Sequence, residues 1–134
     1  WCSLNELINS SDIITIHTPL TKETHYLVDI NFLSKMKNNS ILINCARGKV
    51  VNFNDVLEFS KNGVVSKFIF DVFEDEPVKI KLTEELERYF YFSPHIGALT
   101  DESLISRSKE AIDIVNEFLS NKKPHGKIDI KKGY

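Results

Sequence analysis

The chain has 134 residues, 42% hydrophobic and 27% charged, with a formal net charge of −2. That is the length of one domain, and both fractions sit near globular averages, which excludes a fibrous or wholly disordered chain. Its 17 basic and 19 acidic residues argue against a general nucleic-acid or membrane-surface binder, and two cysteines, Cys2 and Cys45, are too few for a disulfide scaffold or a four-cysteine zinc site.

The chain opens Trp1-Cys2-Ser3, with no signal-peptide pattern, and its only Met is Met36. It therefore reads as a piece of a longer protein. No apolar run approaches the roughly 20 residues of a membrane helix. Ser3-Leu4-Asn5-Glu6 is a capping-box pattern and predicts a short helix ending near Ser10. Asp12 to His17 is a β-branched run, predicting a strand buried on both faces, and Pro19 stops it. Asp29 can cap a helix carrying Ile30, Leu33 and Met36, closed by Lys37-Asn38-Asn39. Ser40 to Asn44 predicts a second buried strand. Asn52 can cap a helix bearing Phe53, Val56, Leu57 and Ser60, with Asn62-Gly63 as its stop. Lys67 to Val72 and Tyr89 to Phe92 predict the third and fourth strands. A long helix should begin after Thr100, with Leu104, Ile105, Ser108, Ile112, Val115 and Leu119 as its inward stripe. The Lys-rich tail from Pro124 should be irregular.

Strands alternating with helices imply a parallel sheet with helices on its faces, an α/β fold of the doubly wound kind. Ligands of such sheets bind outside the carboxyl ends of the strands. Those ends carry His17-Thr18-Pro19, Asn44-Cys45-Ala46-Arg47-Gly48, Asp71 to Pro77, and Ser93-Pro94-His95-Ile96-Gly97. Only Arg47, Arg88 and Arg107 are arginines, against 14 lysines. An Arg at a strand end in so lysine-rich a chain suggests use of its planar fork, which grips a carboxylate bidentately. Glu76 and His95 fall on neighbouring loops of the same edge. A carboxylate facing an imidazole fixes its tautomer and favours its cation. An acid holder, a proton mover and its tuner suit a 2-hydroxy or 2-oxo acid.

Four ordered stretches carry a resemblance: HTPLTKETHYLVD (His17 to Asp29), INCARGKVV (Ile43 to Val51), DVFEDEP (Asp71 to Pro77) and SPHIGALT (Ser93 to Thr100). With them the chain resembles the D-isomer-specific 2-hydroxyacid dehydrogenases, and within that family the D-3-phosphoglycerate dehydrogenases most, from about Leu4 to Phe118. The resemblance implies an NAD-dependent cytoplasmic enzyme of serine biosynthesis, homodimeric in its full length, taking a 2-hydroxy or 2-oxo acid as substrate. It implies that Arg47 binds the substrate carboxylate and keto oxygen, that His95 moves the proton, and that Glu76 pairs with His95. It implies that Asp71 holds the nicotinamide carboxamide, while Thr18, Cys45, Ala46, Arg47, His95, Gly97 and Ala98 line the cofactor. Glu76 argues against the formate dehydrogenase branch.

Two departures qualify it. The five glycines (48, 63, 97, 126 and 133) are scattered, so the family's G-x-G-x-x-G fingerprint is absent, and so is the acidic residue that would read the ribose. The family's substrate domain is also missing. Residues 1–120 are thus read as the C-terminal half of a partial Rossmann-like NAD-binding domain, inactive alone, and 121–134 as a tail packing toward the missing substrate domain. Asn52-Phe53-Asn54 stands where relatives more often carry an acidic residue. A corepressor-like NAD-binding protein, or a catalytically dead interaction or dimerisation module, is the alternative. Cys45 has no evident base beside it and is read as a small packed residue near the cofactor. His17 is read as structural, His25 and His125 as surface residues. No two histidines have close metal-ligand spacing, so no metal is expected.

Overall fold

A computed structural model of the protein describes residues 1–126. They group into two compact units, one covering Trp1–His95 and the other beginning at Ile96.

The first unit is an α/β fold built on a four-stranded parallel sheet of order β1-β2-β3-β4: Ile13–Ile16, Ile41–Asn44, Lys67–Phe70 and Phe90–Phe92. Its helices are α1 (Leu4–Ser10), α2 (Ile30–Ser34), α3 (Phe53–Ser60) and α4 (Glu84–Glu87). The expected doubly wound order of elements is present, because each parallel pair needs a crossover. The register sets Ile14, Leu42, Phe68 and Phe90 in one row and Ile16, Asn44, Phe70 and Phe92 in the next. These rows form the sealed face: Leu42 and Phe68 are fully buried, and Phe92 is its one exposed member. The other face is half-covered at Ile41, Ile43 and Ile69, and Ile13 is 58% exposed. β1 is therefore buried on one face only, because Ile13 and Thr15 on its other face meet no covering layer among the described residues.

Phe53 on α3 anchors an aromatic cluster on the sealed face. Its ring centroid lies 6.0 Å from those of Phe70 and Phe90 and 6.2 Å from that of Phe92. Phe68 stacks on Phe90 at 5.2 Å, and Phe73 meets Phe92 edge-on at 5.0 Å. Such pairs add specific geometry to apolar burial.

The caps form as the sequence predicts. Ser3 and Glu6 close the capping box of α1, Phe32 N–H donates to Asp29 Oδ1 at 2.9 Å, and Asp55 N–H donates to Asn52 Oδ1 at 3.4 Å. Gly63, at φ 65°, ends the turn after α3. α2 is shorter than expected: it stops at Ser34, Ile30 is exposed, and Phe32, Leu33 and Met36 face the core. Strand β3 stops at Phe70, two residues early, since Asp71 and Val72 turn into the loop. Helix α4, a 3-10 turn at Gly48–Val50 and a parallel bridge between Val28 and Val51 were not foreseen.

In the second unit α5 (Asp101–Leu119) is capped by Thr100, whose Oγ1 accepts from Ser103 N–H at 3.2 Å. The stripe expected to face inward is exposed at Leu104, Ile105, Ile112, Val115 and Leu119. Helical spacing marks a face able to pack and says nothing of what packs on it. Residues 127–134 of the expected tail lie outside the described residues.

Candidate active site

Arg47, Asp71 and His95 each follow a parallel strand, β2, β3 and β4, so one sheet edge gathers them with Glu76. Backbone bonds tie these ends together: Asp71 N–H donates to Asn44 O, and Ser93 N–H to Phe70 O, both at 3.0 Å.

At β2 the buried Asn44 turns its side chain back onto its own loop. Its Oδ1 accepts from Ala46 N–H at 3.0 Å and its Nδ2 donates to Arg47 O at 3.1 Å. This clamp buries Ala46 and leaves Cys45 and Arg47 exposed at the edge. Arg47 Nη1 donates to the Ala46 carbonyl at 2.7 Å. Among the described residues no carboxylate pairs with it, so the Nε–Nη2 side of the fork remains for a ligand.

At β3 Asp71 is buried and its Oδ1 accepts from Ser93 Oγ at 2.5 Å. The loop beyond carries Glu76, whose carboxylate bridges two groups. Oε1 accepts from Phe73 N–H at 3.1 Å, and Oε2 lies 2.8 Å from His95 Nδ1. Both bonds, that to His95 first, hold the Glu76 carboxyl below the usual carboxylate value. His95 takes φ 56°, a left-handed conformation rare outside glycine, and its N–H donates to Ser93 O at 3.0 Å. Such backbone strain persists where surroundings over-determine it, and it clusters at functional sites. With Nδ1 committed to Glu76, the ring presents Nε2 to any ligand.

Thr18 lies just beyond β1, with its hydroxyl oxygen buried and without a hydrogen-bond partner. Gly97 and Ala98 belong to the second unit, where Arg107 Nη2 donates to Ala98 O at 3.1 Å. His17 is exposed at the end of β1, its Nε2 2.8 Å from Thr15 Oγ1. Asn44 was missed as a functional support. Its signal was a polar residue closing an apolar strand two residues before Ala46.

Residues 1–97 match the model of the D-isomer specific 2-hydroxyacid dehydrogenase NAD binding domain. The chain belongs to that family. It is 36% identical over 122 residues to glyoxylate/hydroxypyruvate reductase B of Erwinia tasmaniensis, covering 91% of this chain and 38% of the relative. It is 39% identical over 117 residues to D-3-phosphoglycerate dehydrogenase of Bacillus subtilis, covering 87% and 22%. A crystal structure of D-lactate dehydrogenase from Aquifex aeolicus, complexed with NAD and lactic acid, superposes with a TM-score of 0.77 at 36% identity, covering 90% and 40%. The chain thus spans two fifths or less of these relatives. Their names differ in substrate, so kinship fixes the family and NAD as its cofactor and leaves the acid open. The orphan Thr18 hydroxyl fits such a cofactor, since a polar ligand would satisfy it. No helix among the described residues is long and apolar enough to cross a membrane.

Proposed function

We propose that this chain is the catalytic-edge portion of an NAD-dependent dehydrogenase acting on a D-2-hydroxy acid or its 2-oxo partner. The observation that carries it is the Glu76–His95 pair at 2.8 Å, set on the strand edge that also bears Arg47. Arg47 would grip the substrate carboxylate and keto oxygen through its free Nε–Nη2 side, fixing C2 and stabilising charge on the oxygen. His95 would take the hydroxyl proton at Nε2 in oxidation and return it in reduction. Glu76 would hold the ring's tautomer and steady its cation. Asp71 would receive the carboxamide, with Thr18, Cys45, Ala46, Gly97 and Ala98 lining the cofactor. NAD, when bound, supplies or accepts the hydride at its nicotinamide ring.

The motifs favour 3-phosphoglycerate as the acid, with a place in serine biosynthesis in the cytoplasm and a homodimeric protein. Residues 1–120 would be the C-terminal half of the dinucleotide domain. The test is nicotinamide absorbance with the protein as its gene encodes it, run against phosphohydroxypyruvate, hydroxypyruvate, glyoxylate and pyruvate. Phosphohydroxypyruvate should be reduced with the highest kcat/KM. Binding of NADH with no hydride transfer to any of the four would overturn the enzymatic reading.

A further inference from the structure

Gly48 follows Arg47 and opens the 3-10 turn Gly48–Val50. A Cβ placed on it would stand 1.9 Å from Phe73 C, 2.0 Å from Phe73 O and 2.3 Å from Glu74 N. All three are backbone atoms, so no flexible side chain could yield. The Arg47 turn therefore lies flush on the Phe73–Glu74 peptide, an approach that only glycine permits. Phe73 is also the residue whose N–H holds Glu76 Oε1 at 3.1 Å. Phe73 thus meets the Arg47 turn with its carbonyl and supports Glu76 with its N–H, which belongs to the preceding peptide.

Glu74, the next residue, is held through its side chain. Glu74 Oε2 accepts from Tyr26 OH at 2.8 Å, and Glu74 Oε1 accepts from Phe53 N–H at 3.4 Å. Tyr26, at φ 53°, donates its own N–H to Lys49 O at 2.9 Å. The contacts close a ring: Gly48–Lys49 to Tyr26, Tyr26 to Glu74, and the Phe73–Glu74 peptide back to Gly48. Beside it, Val28 N–H donates to Val50 O and Asn52 N–H to Val28 O, which fixes the Tyr26 segment against the turn.

From this closed ring we infer that Gly48, Tyr26 and Glu74 are positioning residues that set the separation between Arg47 and the Glu76–His95 pair. The inference rests on the proposed roles of Arg47 and His95. None of the three residues touches the reacting atoms. Their effect passes through residues Phe73 and Glu74, and proton transfer is steep in such geometry.

Tyr26→Phe keeps the ring and removes only the bond to Glu74. It should lower kcat about five- to tenfold with KM within about twofold, because Arg47 still grips the acid while His95 is misaligned. Glu74→Gln should do the same more weakly. Gly48→Ala displaces the Arg47 turn itself, so kcat should fall and KM should rise together. The 15N resonances of the His95 ring report its bond to Glu76. They should move in Tyr26→Phe, because Glu74 then loses the hydroxyl that holds its carboxylate. Parental kcat and unmoved His95 resonances in Tyr26→Phe and Glu74→Gln would overturn the inference, even if Gly48→Ala fails to fold. Arg47→Lys separates the two levels: if it also leaves kcat/KM at the parental value, the functional reading itself has failed.

Discussion

Replacing Arg47 by lysine keeps a positive charge at the end of β2 and removes its shape. In the structure Nη1 is committed to the Ala46 carbonyl at 2.7 Å, which orients the guanidinium and leaves its Nε–Nη2 side for two parallel bonds to a carboxylate. A lysine ammonium is a point donor and would have to choose between that carbonyl and the ligand. At least one charge-assisted hydrogen bond is lost, about 1.5–3 kcal/mol. That corresponds to a drop in kcat/KM of roughly ten- to hundredfold. The assay is steady-state reduction of the best 2-oxo acid with NADH saturating, using the protein as its gene encodes it. Because Arg47 is exposed and outside the core, circular dichroism and the melting temperature should be unchanged. A fall of less than about fivefold, roughly 1 kcal/mol, would refute the anchoring role of the fork.

Three further outcomes are expected. Glu76→Gln removes the charge that stays ionised beside His95 because its carboxyl sits below the usual value. The His95 ring then loses the charged partner that fixes its orientation at 2.8 Å, so kcat/KM should fall in both directions; parental kcat/KM in both would contradict the pairing. Asn44→Ala leaves the buried Ala46 N–H without its acceptor, so urea unfolding should show a loss of about 1–3 kcal/mol together with reduced kcat/KM. In the second unit Glu117 Oε2 accepts from both Nδ1 and the backbone N–H of His125 at 2.8 Å. The bond and charge of Glu117 raise the His125 value, and His125 lowers that of Glu117. Raised above the ordinary 6.5, His125 contributes fully below that pH and loses its contribution as pH rises through its folded value. Lowered beneath 4.5, Glu117 contributes above that pH and loses its part as pH falls through its folded value. The turn after α5 should therefore be tightest between these two ordinary values. Glu117→Gln should bring the NMR titration midpoint of His125 down, and an unchanged midpoint would refute the contact.

What the sequence made legible was local. Ser3, Asp29, Asn52 and Thr100 cap helices because an N-cap needs only a short polar side chain and the N–H groups two or three residues on. The apolar runs around Ile14, Leu42 and Phe68 declared themselves as strands, and strand ends pointed to Arg47, Asp71 and His95 before any coordinate did. What stayed hidden depends on partners distant in the chain. Tyr26 and Glu74 are 48 residues apart, and nothing near either announces the other. The Gly48 contact with Phe73 is of the same kind, since a glycine in sequence does not say which backbone it must admit. Burial of α5 was overread, since periodicity describes a helix surface and burial requires a second surface. Helix α4 escaped because four residues carry too little periodicity to be seen.

The aromatic cluster and the sheet order together give the sheet edge that bears Arg47 and His95 a stability of its own. Strand β4 is three residues long and lies at the margin of the sheet. His95 hangs from its end, whereas Arg47 hangs from β2, which is paired on both sides. Short marginal strands open locally at free energies well under that of global unfolding. Each such opening would unstack Phe90 from Phe68 and carry His95 away while leaving Arg47 in place. On warming, His95 should thus be displaced while most of the secondary structure is intact. The midpoint of thermal inactivation should fall below the midpoint of melting, and amide exchange at Phe90 to Phe92 should report that gap directly.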